Sequence, residues 1–205
     1  MQQKALFLPN IHGKGLIDGI RKDTTVLLSG KITVLAMLGT RISEVSFGCL
    51  TSWASRHDFM QTHAQSFATN AYTRYSSNPL FQYVQINLQE NLLKSFLVKL
   101  FSNSLKSSVP TELHNSYLIS NQNMEYLRDS MGMTNSKVGY VYLVDENLKI
   151  RWAGCADATE KEAQYLETCT GVLLMRLEKK LGLANAPLDS SGDLENQGSL
   201  TSRHD

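Results

Sequence analysis

Cysteine is scarce in this sequence: 205 residues contain only three, Cys49, Cys155 and Cys169. No two of them are spaced as C-x-x-C or C-x-x-x-C, which excludes a paired-thiol exchange site, a cysteine-based zinc site and a copper site of that spacing. An odd number of widely separated cysteines also argues against a disulfide framework. Any thiol chemistry would therefore depend on a single cysteine.

An excess of either charge is also missing. The chain has 20 basic and 19 acidic residues and a formal net charge of +1. Proteins that bind nucleic acids generally carry a marked basic excess, because contacts with phosphates supply much of the affinity. The sequence therefore predicts no nucleic-acid partner.

Long apolar runs are absent, and no stretch approaches the roughly 20 apolar residues that span a bilayer. Neither a secretory signal nor an Arg-rich, acid-poor presequence is recognisable after Met1. We therefore expect no membrane span and no leader in these residues.

The spacings typical of metal and nucleotide sites are missing as well. The five histidines form no H-x-x-x-H or H-E-x-x-H pattern, and Gly13, Gly15 and Gly19 neither follow a strand nor precede a Lys-Ser/Thr pair. We expect no metal, no nucleotide and no other cofactor.

The best organised passage is residues 138–156, VGYVYLVDENLKIRWAGCA. The apolar and aromatic run over residues 138–144 predicts a buried strand, and Asp145 begins the polar turn after it. Ile150 and Trp152 then alternate with basic residues, which predicts a half-exposed partner strand. In this hairpin Ile150 and Trp152 are expected to pack inward and Arg151 to face solvent.

The rest of the chain alternates between strands and helices. Short apolar runs predict strands, and apolar residues at helical spacing predict helices. The predicted strands cover residues 24–28, 32–38, 81–88 and 117–119. The first predicted helix begins at Ser43 and breaks around residues 57–63, the second covers residues 90–105, and a short third one surrounds Leu127. The last predicted helix begins near Thr159, after a turn at Gly154, and ends at Gly182.

This order, a βαβ unit followed by a ββα unit, predicts an α/β fold of thioredoxin-like type, with a mixed central sheet and helices on both faces. We divide the chain into an extended, turn-rich N-terminal segment over residues 1–30, the thioredoxin-like domain over residues 31–182, and a disordered polar tail over residues 183–205.

Redox cysteines of such a fold lie where the first core strand meets its helix, here residues 38–45, LGTRISEV, which contain no cysteine. Cys169 is expected to be packed in its helix, and Cys49 is either a buried structural thiol, as free cysteines often are, or a reactive one. Cys155 is open to two interpretations. It either fills a tight corner as a small apolar residue, or it lies near the start of the last helix, where the dipole would stabilise a thiolate.

Surface recognition remains as a function. Lys94 and Lys99 flank the apolar stripe of the predicted helix over residues 90–105, and such a stripe either belongs to the core or contributes to a docking surface for a hydrophobic client. The candidate client-contact residues are Lys94, Lys99, Arg151, Trp152 and Cys155.

Three passages, residues 7–13, 84–101 and 137–156, resemble the mitochondrial ATP synthase assembly factors that chaperone subunit 6 (subunit a) of the Fo sector. The resemblance implies a non-catalytic protein at the matrix face of the inner mitochondrial membrane, peripherally associated with it. This protein would bind newly made subunit 6 and help it join the proton-carrying ring. The alternative is a thioredoxin-like or peroxiredoxin-like thiol oxidoreductase with a single active cysteine.

Overall fold

A mixed sheet of seven strands forms the centre of the protein in a computed structural model, which describes residues 6–39, 50–89, 111–135 and 138–183, together with residues 106 and 109. The strands are β1 (His12–Gly15), β2 (Arg21–Asp23), β3 (Ile32–Gly39), β4 (Phe81–Leu88), β5 (Tyr117–Ser120), β6 (Tyr140–Val144) and β7 (Ile150–Cys155). They lie in the order β2-β1-β5-β4-β3-β6-β7. β3, β4 and β5 are parallel, and the other neighbouring strands are antiparallel.

The helices lie on both faces of the sheet. They are α1 (Thr24–Leu28), α2 (Leu50–Tyr75), α3 (Glu125–Arg128) and α4 (Glu160–Lys180), with a 3-10 helix over Thr111–Ser116. α2 and α4 pack against each other and against one face. Leu28 of α1 and Leu127 of α3 pack against the other. The predicted thioredoxin-like α/β fold is therefore confirmed.

Alternate residues of the central strands serve two separate cores, because side chains along a strand point to opposite faces. The core under α2 and α4 includes Val34, Ala36, Leu38, Phe67, Val141, Leu143, Leu166 and Leu174. The core on the other face includes Leu8, Ile11, Leu28, Leu35, Met37, Val84, Ile86 and Tyr142. This burial on both faces explains why β3 reads as a continuous apolar run.

The ends of the terminal helix agree with the sequence. Thr159 and Glu162 form a reciprocal capping box, in which the Thr159 side chain accepts the Glu162 N–H and the Glu162 carboxylate accepts the Thr159 N–H. Gly182, with φ +72°, follows the helix in the left-handed conformation that glycine tolerates best. The N-terminal segment contributes β1 and β2 to the sheet. Residues 184–205 of the predicted tail lie outside the described residues.

Two predictions of secondary structure are wrong. Residues 24–28 form helix α1 rather than a strand, because the Thr24 hydroxyl accepts the Ile11 N–H at 2.8 Å and Leu28 is buried against the sheet. The break predicted at residues 57–63 is absent, since α2 continues from Leu50 to Tyr75. At α1, packing outweighs local propensity.

The hairpin of β6 and β7 contains a bulge that the alternation of its sequence does not predict. Val144 pairs with Ile150 and Leu143 pairs with Trp152, which leaves Arg151 as the extra residue. Ile150 and Trp152 therefore pack on opposite faces, rather than on the single inward face that we expected. Left-handed backbone lies on either side of β7, at Leu148 with φ 64° and at Ala156 with φ 62°.

Gly154 is not the turn residue that we predicted. It lies within β7, and the turn into α4 instead uses the left-handed Ala156. A Cβ atom at Gly154 would lie 2.5 Å from Cη2 of Trp152 and 2.8 Å from Cε1 of Phe67. The glycine is therefore required by the close approach of two aromatic rings.

We expect Gly154→Ala to lower the free energy of unfolding by about 1–3 kcal/mol, because the added methyl group would force the Trp152 and Phe67 rings apart. Denaturant unfolding would measure the change, with Ala153→Ser at the exposed neighbouring position as the control. Phe67→Leu in the Gly154→Ala background should recover part of the loss. A variant as stable as the parent would contradict the steric explanation.

Candidate functional site

The candidate residues divide into three that the structure describes and two that it does not. Lys94 and Lys99 lie outside the described residues. Arg151, Trp152 and Cys155 lie together on β7, which is an edge strand of the sheet. Arg151 and Cys155 are exposed and Trp152 is half-buried.

Arg151 is held by Asp145, a buried carboxylate with 1% exposure. The Arg151 Nε and Nη2 atoms lie 2.7 and 2.6 Å from Oδ2 of Asp145. The other carboxylate oxygen accepts the N–H groups of Asn147 and Lys149, both at 2.9 Å. Asp145 thus closes the turn and fixes the bulged residue, and the predicted solvent-facing role of Arg151 is only partly correct.

Sequence reasoning treated Asp145 as ordinary turn chemistry and missed its pairing with Arg151. An aspartate that opens a turn can accept backbone N–H groups two or more residues ahead, and that pattern was visible. The pairing of Asp145 with Arg151, six residues later, could not be predicted from the sequence, because it depends on the bulge in β7.

Trp152 is mainly a packing residue. Its ring meets the Phe67 ring edge-to-face, with centroids 5.4 Å apart, and it lies against the core under α2 and α4. Such pairs stabilise a fold beyond the area that they bury. Trp152 therefore connects the edge strand to α2.

The cysteines depart from expectation. Cys155 and Cys169 are both exposed, so Cys169 is not packed in its helix and Cys155 does not fill a tight corner. Cys49 lies outside the described residues. The N-terminus of α4 already holds the Glu162 carboxylate, and its hydrogen bonds with Thr159 lower the pKa of that carboxyl group. The helix end that would stabilise a Cys155 thiolate, in one of the two interpretations, is therefore occupied by another anion.

A ladder of buried polar side chains, which sequence reasoning also missed, runs along β4 toward its carboxyl end. Gln85 donates to Tyr83 Oη at 2.8 Å, Asn87 donates to Tyr117 Oη at 3.0 Å, and Gln89 donates to Asn87 Oδ1 at 2.7 Å. The Oε1 atoms of Gln85 and Gln89 are buried and accept no hydrogen bond from the part of the chain that the structure describes. Alternate polar residues within the apolar run FQYVQINLQ were the available signal.

Neither a metal site nor a membrane span is found in the described part of the chain. No group of three or more His, Cys, Asp or Glu side chains there is arranged to hold an ion. No helix there is long and apolar enough to cross a bilayer.

Comparison with protein families gives a clear match. The family model described as ATP10 protein matches residues 1–173, which is most of the chain. The chain belongs to the ATP10 protein family. This result confirms the family resemblance found in the sequence.

Individual ATP10 relatives agree with this membership. The chain is 31% identical over 172 residues to a protein of Candida glabrata and 29% identical over 172 residues to one of Saccharomyces cerevisiae, both called mitochondrial ATPase complex subunit ATP10. These alignments cover 83% and 80% of this chain, and 58% of each relative. The chain therefore spans a little over half the length of these relatives.

Solved structures share the fold. One from Chlorobium tepidum, described as a thiol:disulfide interchange protein DsbE, has a TM-score of 0.51 at 14% identity and covers 85% of this chain and 99% of its own. An uncharacterized conserved protein from Geobacillus kaustophilus has a TM-score of 0.53 at 14% identity and covers 86% of this chain and 84% of its own. At these identities the likeness concerns the fold alone.

We expect Arg151→Ala to destabilise the protein by about 1–3 kcal/mol, because it leaves the buried Asp145 carboxylate without its charged partner. Arg151→Lys should recover part of this loss, since lysine restores the charge but not the two-nitrogen contact. The matched control is Arg176→Ala, at an exposed position of α4. Thermal and denaturant unfolding would measure all three, and equal effects at positions 151 and 176 would contradict the assigned role.

We also expect the free energy of unfolding to fall above about pH 10. Burial raises the pKa of Tyr83 and of Tyr117, so the unfolded state releases their phenolic protons at a lower pH than the folded state does. The loss should reach about 1.4 kcal/mol per pH unit for each tyrosine. Denaturant unfolding from about pH 8 to about pH 11 would measure it.

The controls for this loss of stability at high pH are variants of two tyrosines, one buried and one exposed. Tyr83→Phe should reduce the slope by the contribution of one proton, whereas Tyr126→Phe, at a side chain that is 90% exposed, should leave it unchanged. Equal slopes in the two variants would show that the buried phenols are not its source.

Proposed function

We propose that this protein is a non-catalytic assembly chaperone for the Fo sector of the mitochondrial ATP synthase. It binds newly made subunit 6 (subunit a) and promotes its association with the proton-carrying ring. The single observation that carries the proposal is membership of the ATP10 family over residues 1–173, since the relatives are called mitochondrial ATPase complex subunits.

The absence of catalysis is part of this proposal, and the thiols support it. A dithiol exchange enzyme needs two neighbouring cysteines, and residues 38–45, where the fold would place them, contain none. Cys155 lies five residues before α4, whose N-terminus holds the Glu162 carboxylate instead of a thiolate. The scaffold is therefore proposed to bind another polypeptide rather than to exchange disulfides.

The proposed location is the matrix side of the inner mitochondrial membrane, with peripheral attachment. The relatives' name supports the mitochondrion. The proposed client belongs to the membrane-embedded sector, which supports the inner membrane, and the matrix side is what the family resemblance implies. The near balance of charge agrees with a protein partner rather than a nucleic acid.

We assign the client contact to two kinds of residue. Lys94, Lys99 and the exposed Cys155 are proposed to touch the client directly. Arg151 and Trp152 are proposed to act indirectly, because Asp145 and Phe67 already hold their side chains and so fix the shape of the edge strand. Truncation of Arg151 or Trp152 should therefore lower stability together with binding.

A single-cysteine thiol oxidoreductase is the alternative. The observation that favours it is the exposure of Cys155 on a fold that is shared with a thiol:disulfide interchange protein. Such an enzyme would lose all activity when its one reactive sulfur is replaced.

The two functions are separated by a variant in which Cys49→Ser, Cys155→Ser and Cys169→Ser are combined. If the protein is an assembly chaperone, cells that carry only this variant should assemble ATP synthase normally, as measured by native gel electrophoresis of mitochondrial membranes. Lys94→Glu with Lys99→Glu should reduce co-purification of unassembled subunit 6. Loss of assembly in the cysteine variant, together with loss of a peroxide or disulfide activity, would support the enzyme and contradict our proposal.

A further inference from the structure

The loop between β1 and β2 is a tight, well-braced hairpin tip, by which we mean residues 16–20. The Gly15 N–H donates to the Ile20 carbonyl and the Gly19 N–H donates to the Gly15 carbonyl, both at 3.0 Å. The Asp18 side chain accepts the Ile20 N–H at 3.0 Å, and Gly19 takes the left-handed conformation with φ +62°. The tip therefore presents its side chains in a fixed arrangement at one border of the sheet.

Two large apolar side chains project from this tip. Ile17 is 54% exposed and Ile20 is 62% exposed, whereas the neighbouring Leu16 is buried in the core. The two isoleucines lie three residues apart on one braced turn, and apolar side chains that are exposed together can mark an interaction site. Their position suggests a partner that receives a projecting apolar edge.

The charges behind the tip add a second, independent observation. Lys14 of β1 lies directly opposite Arg21 of β2, and both are exposed. Neither forms an ion pair within the described residues. Two cations directly opposite on neighbouring strands repel each other, so this pair weakens the hairpin unless an anion lies against it.

The acidic groups of the hairpin do not cancel these two cations. Asp18 lies 2.9 Å from Lys22 Nζ, and hydrogen bonds from Lys22 and Ile20 lower the pKa of its carboxyl group. Asp18 and Lys22 therefore neutralise each other. Asp23 lies opposite His12, at the end of the hairpin that is remote from the tip. The surface next to Ile17 and Ile20 is thus apolar at its end and cationic behind it.

We propose that this hairpin tip binds an anionic phospholipid surface. Ile17 and Ile20 enter the boundary between headgroups and acyl chains, while Lys14 and Arg21 meet lipid phosphates and lose their mutual repulsion. Two exposed apolar side chains with a pair of cations behind them match the apolar and anionic layers of a phospholipid surface. That this surface belongs to the inner mitochondrial membrane rests on the proposed function, whereas the affinity for anionic lipid does not.

The chain offers a matched control in Val26. Its side chain is 81% exposed, which is more than that of Ile17 or Ile20. It lies on α1, however, beyond the end of β2 that is remote from the tip. Removing it tests whether apolar exposure alone matters. All the substitutions fall on exposed side chains, so thermal unfolding should show that the variants remain folded.

Sedimentation of the purified chain with vesicles tests the proposal. Phosphatidylcholine vesicles with about one third phosphatidylglycerol should bind the protein, and pure phosphatidylcholine vesicles should bind it much more weakly. Ile17→Ser with Ile20→Ser should weaken binding to the anionic vesicles by about tenfold or more. Lys14→Gln with Arg21→Gln should weaken it by about fivefold for each cation and reduce its sensitivity to salt. Val26→Ser should leave it unchanged.

The opposite outcomes overturn the proposal. These are no binding to anionic vesicles, equal binding to both kinds of vesicle, or an equal loss in the Val26→Ser and double-serine variants. A double-serine variant that binds vesicles normally but no longer co-purifies with unassembled subunit 6 would make the tip a protein contact and exclude the lipid role. Vesicle binding without any effect of the chain on ATP synthase assembly would support the lipid surface and contradict only the proposed function.

Discussion

The buried carboxylate of Asp145 is the contact on which the outer part of the sheet depends. It binds the two N–H groups of its own turn and the guanidinium of Arg151, and it thereby fixes the bulge that sends Ile150 and Trp152 to opposite cores. Without the bulge, β7 would present both side chains to one core and leave the other incomplete. One acidic side chain thus connects the turn, the edge strand and both faces of the sheet.

The fold could be predicted from the sequence because its signals are local and agree with one another. Apolar runs locate β3, β4 and β6, and Thr159 and Gly182 mark the ends of α4. The errors arose where distant residues decide the local structure. α1 is fixed by a hydrogen bond with Ile11, and Gly154 is required by the ring of Phe67. Neither contact can be predicted from the adjacent residues in the sequence.

The surfaces of the protein were harder to predict than its core. The sequence directed attention to Arg151 and Trp152, which the structure assigns to an ion pair and to an aromatic contact. It gave no weight to Ile17 and Ile20, because a five-residue turn is too short to show a period. The resemblance to known sequences identified the family, since it depends on whole passages rather than on the exposure of single residues.

The backbone on either side of β7 has a consequence for association between molecules. Leu148 and Ala156 hold left-handed conformations that side chains other than glycine rarely adopt, and each costs about 1–2 kcal/mol. Pairing nevertheless continues past Leu148, whose carbonyl accepts the Leu8 N–H at 2.8 Å, and the Leu6 carbonyl accepts the Ile150 N–H at 2.9 Å. Residues 6–8 thus cover the beginning of the outer edge of β7, and the left-handed Ala156 follows its end. The strand therefore offers only a short template to a neighbouring chain, which limits fibre-like stacking of the protein at high local concentration.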